Sequence, residues 1–215
     1  MFNTIVRFFQ DGGHFMYPIA VVAVIGLVIA VERWVYLTMA AMRNRALWNE
    51  LTPLLGQGNF KQAVALTSGS DSAIGQILNY GLARVQSARR RDDIEKAMEE
   101  SLMEILPRLE KRTHYLATFA NLATLLGLLG TVIGLIAAFG AVATVNPAEK
   151  ANLLSASISV AMNCTAFGLM TAVPLLVLHA VLQTKTTELV DSLEMASVKF
   201  LNSITERRTE AAAAV

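Results

Sequence analysis

The sequence has one cysteine, Cys164, so it can form neither an intrachain disulfide nor a multi-cysteine metal site. Charge is scarce as well: Asp, Glu, Lys and Arg make up 16% of 215 residues, where a soluble domain carries about 25%. The net charge of +1 gives no basic field for nucleic acid, and no aromatic residues are interleaved with a basic patch, so nucleic acid is excluded as a partner. There is no paired acid–base constellation, nucleophile motif or metal cluster, which makes an enzyme the least expected function and leaves no candidate catalytic or metal-ligating residue. A cleavable leader is not expected. Arg7 is the only basic residue ahead of the first apolar run, and that run ends in Glu32-Arg33 rather than in small residues.

What the sequence has in abundance is apolar residues, 54% of the chain, with a mean hydropathy of +0.47. The few charges are placed unevenly. Residues 12–31, 113–148 and 151–184 contain no Lys, Arg, Asp or Glu, and each stretch reaches or exceeds the roughly 20 residues that cross a hydrocarbon core as helix. The expected fold is an all-α membrane protein with three transmembrane helices. The divisions are an outer segment at 1–13, spans at 14–37, 113–145 and 152–184, a short outer turn at 146–151, and charged regions at 38–112 and 185–215. Of the 18 Lys and Arg, only Arg7 and Lys150 fall in the outer segments, against sixteen on the other side. Those sixteen are Arg33 at the end of the first span and fifteen in the two charged regions. Cytoplasmic segments retain positive charge, so the outer segments should be periplasmic and the two charged regions cytoplasmic.

The charged regions read as helical. Asn59 is placed to cap a helix over 60–67, and 70–72 to open one running towards Arg89. Asp92-Asp93 favour a helix start through the macrodipole. Met98, Leu102, Ile105 and Leu109 then form a stripe at helical spacing, and so do Leu189, Leu193, Ala196, Phe200 and Ile204. Such stripes suit ordinary packing. Packing between subunits is the more specific reading, because the second and third spans both look like long helices extending into the cytoplasm. Pro107 is the place for a kink, with no loop before the second span, and 209–215 should fray.

Within the spans, Gly127, Gly130 and Gly134 leave a face that a second helix can approach closely, with Thr124 and Thr131 on or beside it. Hydroxyls in such places commonly bond back to their own helix. In the third span Thr165 shares a face with Gly168, Ala161 and Ala172, while Asn163 lies about 200° away from Thr165. Ser159 and Asn163 make a separate polar strip suited to an interhelical hydrogen bond. Pro174 is a second candidate kink, and Cys164 fits as a small packing residue. No acidic residue lies in any of the three charge-free stretches, so an ion path would need a carboxylate from another subunit. His179 reads as an interfacial residue rather than a proton relay.

Three segments carry a resemblance. The first is Gly12-Gly13-His14-Phe15-Met16-Tyr17-Pro18, followed by Glu32-Arg33-Trp34 at the end of the span. The second is Leu126-Gly127-Leu128-Leu129-Gly130-Thr131-Val132-Ile133-Gly134. The third is Thr165-Ala166-Phe167-Gly168-Leu169, with Val173-Pro174 after it. In this order, across residues 10–205, the chain resembles the ExbB/TolQ/MotA family of ion-driven inner-membrane motors, and its three spans fit the ExbB/TolQ branch.

The resemblance implies a homo-oligomer, a pentamer, in the bacterial inner membrane. It would surround two copies of a single-span ExbD/TolR-like subunit that supplies an intramembrane Asp, and it would energise work at the envelope, with a TonB-like protein as a further partner of the ExbB-type role. Thr131 and Thr165 match the family threonines lining the ion path, with H⁺ or Na⁺ as the transported ion and no cofactor. Where proton-driven members carry a Glu five residues before the third-span threonine, this chain has Val160, so both ions stay open. A TolQ-like or motility motor and a non-conducting scaffold remain as alternatives.

Overall fold

The computed structural model describes residues 12–85 and 90–213, with side chains through residue 206. Six helices follow one another among the described residues, with no strand: α1 (Met16–Gln57), α2 (Phe60–Ser68), α3 (Ala73–Val85), α4 (Arg91–Glu110), α5 (Thr113–Thr144) and α6 (Pro147–Ala213). Three helical stretches, containing α1, α5 and α6, are long and apolar enough to cross a membrane. The expected all-α architecture with three spans is the observed one.

The local signals act where the sequence places them. The Asn59 side chain accepts from the Gln62 amide at 3.4 Å and caps α2. Ser72 Oγ accepts from the Gly75 amide at 3.1 Å and caps α3; Arg89, the expected end of α3, lies outside the described residues. Asp92 and Asp93 occupy the first turn of α4. α1 closes on Gly58, whose φ of 75° is a left-handed conformation open to glycine at little cost. The Gly58 and Asn59 amides donate there to the Leu55 and Leu54 carbonyls at 3.1 and 3.0 Å, which satisfies two carbonyls of the last turn.

Three features go beyond or against the expectations. The first helix runs on past its apolar stretch to Gln57, so a third helix outruns its span. Pro107 stays inside α4, and the break before the second span falls instead at Lys111-Arg112, where Arg112 takes a φ of 67°. Third, α6 runs on to Ala213 through most of the tail expected to fray; residues 214–215, like 1–11 of the outer segment, lie outside the described residues.

The chain divides into two compact units. The apolar unit comprises the described residues up to Arg33 together with Arg112–Leu182. Its core is built from Ile19, Val22, Ala120, Ala123, Ala172 and Leu175 around Cys164, one stripe from each of three helices. The charged unit comprises the described residues of Trp34–Lys111 and Gln183–Val215. Here Met98, Ile105 and Leu109 of α4 and all five members of the α6 stripe are buried within the chain itself. A Cβ on Gly81 would meet both Met98 and Phe200, so α3, α4 and α6 converge at that glycine. The stripes therefore find their partners inside one chain. The subunit-to-subunit reading of them is overturned, because each helix already has an apolar neighbour to cover it.

Candidate functional site

The polar and small residues of the spans meet where α5 packs on α6. A Cβ on Gly127 would lie 3.2 Å from the Thr165 Cα and 3.3 Å from the Gly168 Cα, so the two backbones touch with no side chain between them. A Cβ on Gly168 would lie 2.7 Å from the Ala123 carbonyl oxygen. One turn along, Gly130 leaves the space that the Cys164 sulfur fills, and a Cβ on Gly134 would come 3.1 Å from the Ala161 Cβ. The glycine face is thus spent on the chain's own α6. That face by itself therefore calls for no neighbouring subunit.

Close approach makes a polar contact possible. Thr165 Oγ1 donates to the Gly127 carbonyl at 2.9 Å. By the i→i−4 pattern of α5, the same carbonyl also accepts the Thr131 amide. Thr131 Oγ1 donates to the Leu128 carbonyl at 2.6 Å, and Thr124 Oγ1 to the Ala120 carbonyl at 3.1 Å. The two α5 hydroxyls bond back to their own helix, whereas Thr165 bridges two helices. Each of the Thr131 and Thr165 hydroxyls has its single proton committed to a carbonyl, which leaves only lone pairs to face anything else.

The separate polar strip lies elsewhere on α6. Ser159 is exposed and Asn163 half-buried, and neither side chain has a hydrogen-bond partner among the described residues. With Asn152 and Ser155, both exposed, they mark the side of α6 turned away from the core. Val160, where proton-driven members of the resembled family carry an acid, is 37% exposed. A Cβ on Gly13 would meet its Cγ1 at 3.2 Å, so Val160 stands beside the turn that opens α1.

At the other end of the apolar unit is a cluster that the sequence reading did not assemble. Arg33, only 3% exposed, donates from Nε to Thr113 Oγ1 at 3.1 Å. The Thr113 carbonyl accepts from His179 Nδ1 at 3.0 Å, so the first residue of α5 is tied to both α1 and α6. Arg112 Nη1 donates to both carboxylate oxygens of Glu32, at 2.6 and 2.9 Å, both groups remaining half-exposed. Glu32-Arg33 is visible in sequence as the end of an apolar run. Its partners 80 residues away give no sequence signal.

Comparison with known proteins bears on this arrangement. A provisionally named biopolymer transport protein ExbB homolog from Methanothermobacter thermautotrophicus is 26% identical over 196 residues, covering 90% of this chain and 68% of that protein. The model of the MotA/TolQ/ExbB proton channel family matches residues 69–195, which holds the whole of α5 and both threonines. That match takes in more than half of the chain and includes the α5/α6 contact of Gly127 with Thr165 and Gly168. On it, this membrane protein belongs to the MotA/TolQ/ExbB proton channel family.

Proposed function

We propose that the chain is one subunit of an ion-conducting motor in the bacterial inner membrane. In this reading a ring of like subunits, a pentamer, encloses two single-span ExbD/TolR-like chains that supply an intramembrane Asp. Ion flow past that Asp energises transport or mechanical work at the envelope, with a TonB-like protein downstream and no chemistry catalysed by this chain. The start of α1 and the turn before α6 face the periplasm, and the charged unit faces the cytoplasm. The sixteen-to-two split of Lys and Arg supports that orientation.

The observation that carries the reading is a difference between exposed faces. From Val21 to Val31 the exposed side of α1 is wholly apolar, made of Val21, Val24, Ile25, Leu27, Val28 and Val31, as suits lipid. The exposed sides of α5 and α6 are mostly apolar too, as at Leu125, Leu128, Ile136, Met162 and Leu169, but they add Asn121, Asn152, Ser155 and Ser159. Polar side chains are costly against hydrocarbon, so those two helices are suited to face protein or an aqueous path while α1 faces lipid. A ring built on α5 and α6 around a partner satisfies all three faces.

At the α5/α6 contact, on the side of α6 opposite the Ser159 strip, the acceptor-only hydroxyls of Thr131 and Thr165 are suited to ligate a cation, Na⁺ or hydrated H⁺, beside the partner's carboxylate. A hydroxyl whose proton is held by a carbonyl is poorly placed to hand protons onward. The test uses the chain with its partner in vesicles. Ion flux and coupled work are measured against external Na⁺ at fixed pH, with a protonophore control, for the parent, Thr131→Val and Thr165→Val. Flux that needs either ion and is lost in both variants supports the reading. Sodium dependence selects Na⁺, and protonophore-sensitive flux indifferent to sodium selects H⁺. Dependence on neither ion refutes the motor.

A further inference from the structure

We propose that a second copy of this chain seats the outer ridge of its α4, centred on Met103, in the groove between the second half of α1 and α6. The proposal rests on the ring reading above and names the pair of surfaces that closes it.

Met103 is the most exposed large hydrophobic side chain among the described residues, at 70%. It sits in a helix bearing seven acidic and three basic residues, a net charge of −4, so hydrocarbon does not account for its exposure. Glu104 is already paired with Arg108 at 3.4 Å. Asp92, Glu99, Glu100 and Glu110 remain around Met103 on the outer side of α4, with Lys96 as the cation among them. This is an acidic ridge with an apolar crest.

The groove has the opposite character. Its volume is about 660 Å³. Leu37 and Leu189 are among its buried lining residues, while Met42 and Met195, more than half exposed, line it at the open side. Lys185, Lys199 and Arg45 line it against Glu188 and Asp191, a surplus of one positive charge. From Leu37 to Trp48 it follows α1 for roughly 17 Å, which accommodates about eleven residues of a seated helix. Asn44, 4% exposed, is part of the wall, and its Oδ1 accepts from the Ile74 amide at 3.3 Å.

Ridge and groove are different surfaces, so the contact is head-to-tail, the kind that closes rings. Charge of opposite sign on the two surfaces selects the partner and speeds its approach. Methionine, with its flexible thioether, suits the crest of such a ridge and the lips of such a groove alike.

The experiment mixes two differently tagged chains in a Cys164→Ser background, one carrying Met103→Cys and the other Met195→Cys, co-expressed in membranes and treated with a mild oxidant. The expected product is a disulfide between unlike tags, with little between like tags. Adding Glu99→Lys and Glu100→Lys to the first chain should lower its yield about tenfold, because a cationic ridge then meets a cationic groove. Native mass spectrometry of the extracted parent protein separates the two levels of the reading. A ring without the unlike-tag disulfide overturns this interface and leaves the ring standing, while a stable monomer overturns the ring itself. Equal yields between like tags, or yields indifferent to the charge reversal, also overturn the proposed contact.

Discussion

Replacing Gly168 by alanine should force α5 and α6 apart at the point where Thr165 reaches Gly127. A Cβ there would stand 2.7 Å from the Ala123 carbonyl oxygen and 3.1 Å from the Gly127 Cα. Both are backbone atoms of a continuous helix, so neither moves aside as a side chain would, and relief requires a separation of roughly 0.7 Å to restore ordinary contact. Two terms compete. Alanine gains about 1 kcal/mol over glycine in a helix interior. Overpacking against a rigid neighbour costs about 1–3 kcal/mol, and a backbone oxygen puts Gly168 towards the upper end. The net expectation is a loss of about 1 kcal/mol or more. Gly140→Ala is the matched control: nothing lies within 4 Å of its Cβ, so it collects only the helix gain. The two variants should differ by about 2 kcal/mol. Unfolding in mixed micelles, followed by far-ultraviolet circular dichroism against mole fraction of SDS, reads this difference. A Gly168→Ala midpoint equal to or above that of Gly140→Ala would refute the close-packing account.

Three further outcomes are expected. In a double-mutant cycle, Arg33→Met and Thr113→Val should show a coupling of about 1.5 kcal/mol in the same unfolding assay, because a charged donor meets its acceptor in a buried place; additive losses would mean that the contact contributes nothing. Arg112→Gly should change stability by less than about 0.5 kcal/mol, since relief of a left-handed non-glycine residue offsets loss of a half-exposed ion pair with Glu32, whereas Arg112→Val should cost about 2 kcal/mol. Cys164, buried against Gly130, should resist maleimide in the folded protein and react once SDS unfolds it; labelling at full rate in the folded state would place the sulfur at a surface.

Much of the fold was legible because membrane solvation leaves a coarse, long-range mark. Three stretches emptied of charge announce three spans, and the Asn59 cap and the Asp92-Asp93 start are local chemistry that acts within a few residues. What escaped depends on pairing over distance. Arg112 takes a left-handed backbone and Glu32 holds its guanidinium, and nothing near residue 112 marks the break the way a glycine or proline would. Pro107 removes a donor and so marks a candidate kink, yet α4 runs through it. The stripes are legible as apolar faces. Their partners are not, because periodicity says that a helix face is covered and not by which chain. The same limit applied to Gly127, Gly130 and Gly134, whose small size invites any helix and whose actual neighbour is α6 of the same chain.

The α5/α6 contact gives packing and the proposed ion path one common atom, the Gly127 carbonyl, and this makes their contributions separable. Thr165→Val removes the 2.9 Å bond to that carbonyl but keeps the shape of the side chain. Hydrogen bonds between membrane helices contribute about 0.6 kcal/mol on average, so the variant should fold nearly as well as the parent. Gly168→Ala leaves every hydroxyl in place and disturbs only the spacing that lets Thr165 reach across. If the two hydroxyls act as ligands, Thr165→Val should lose ion flux with its stability almost intact. Gly168→Ala should lose flux together with stability, and should regain part of it under conditions that stabilise the fold. Equal flux in Thr165→Val and the parent would reduce the Thr165 hydroxyl to a structural bridge and move the ion path to the polar strip at Ser159 and Asn163, on the other side of α6.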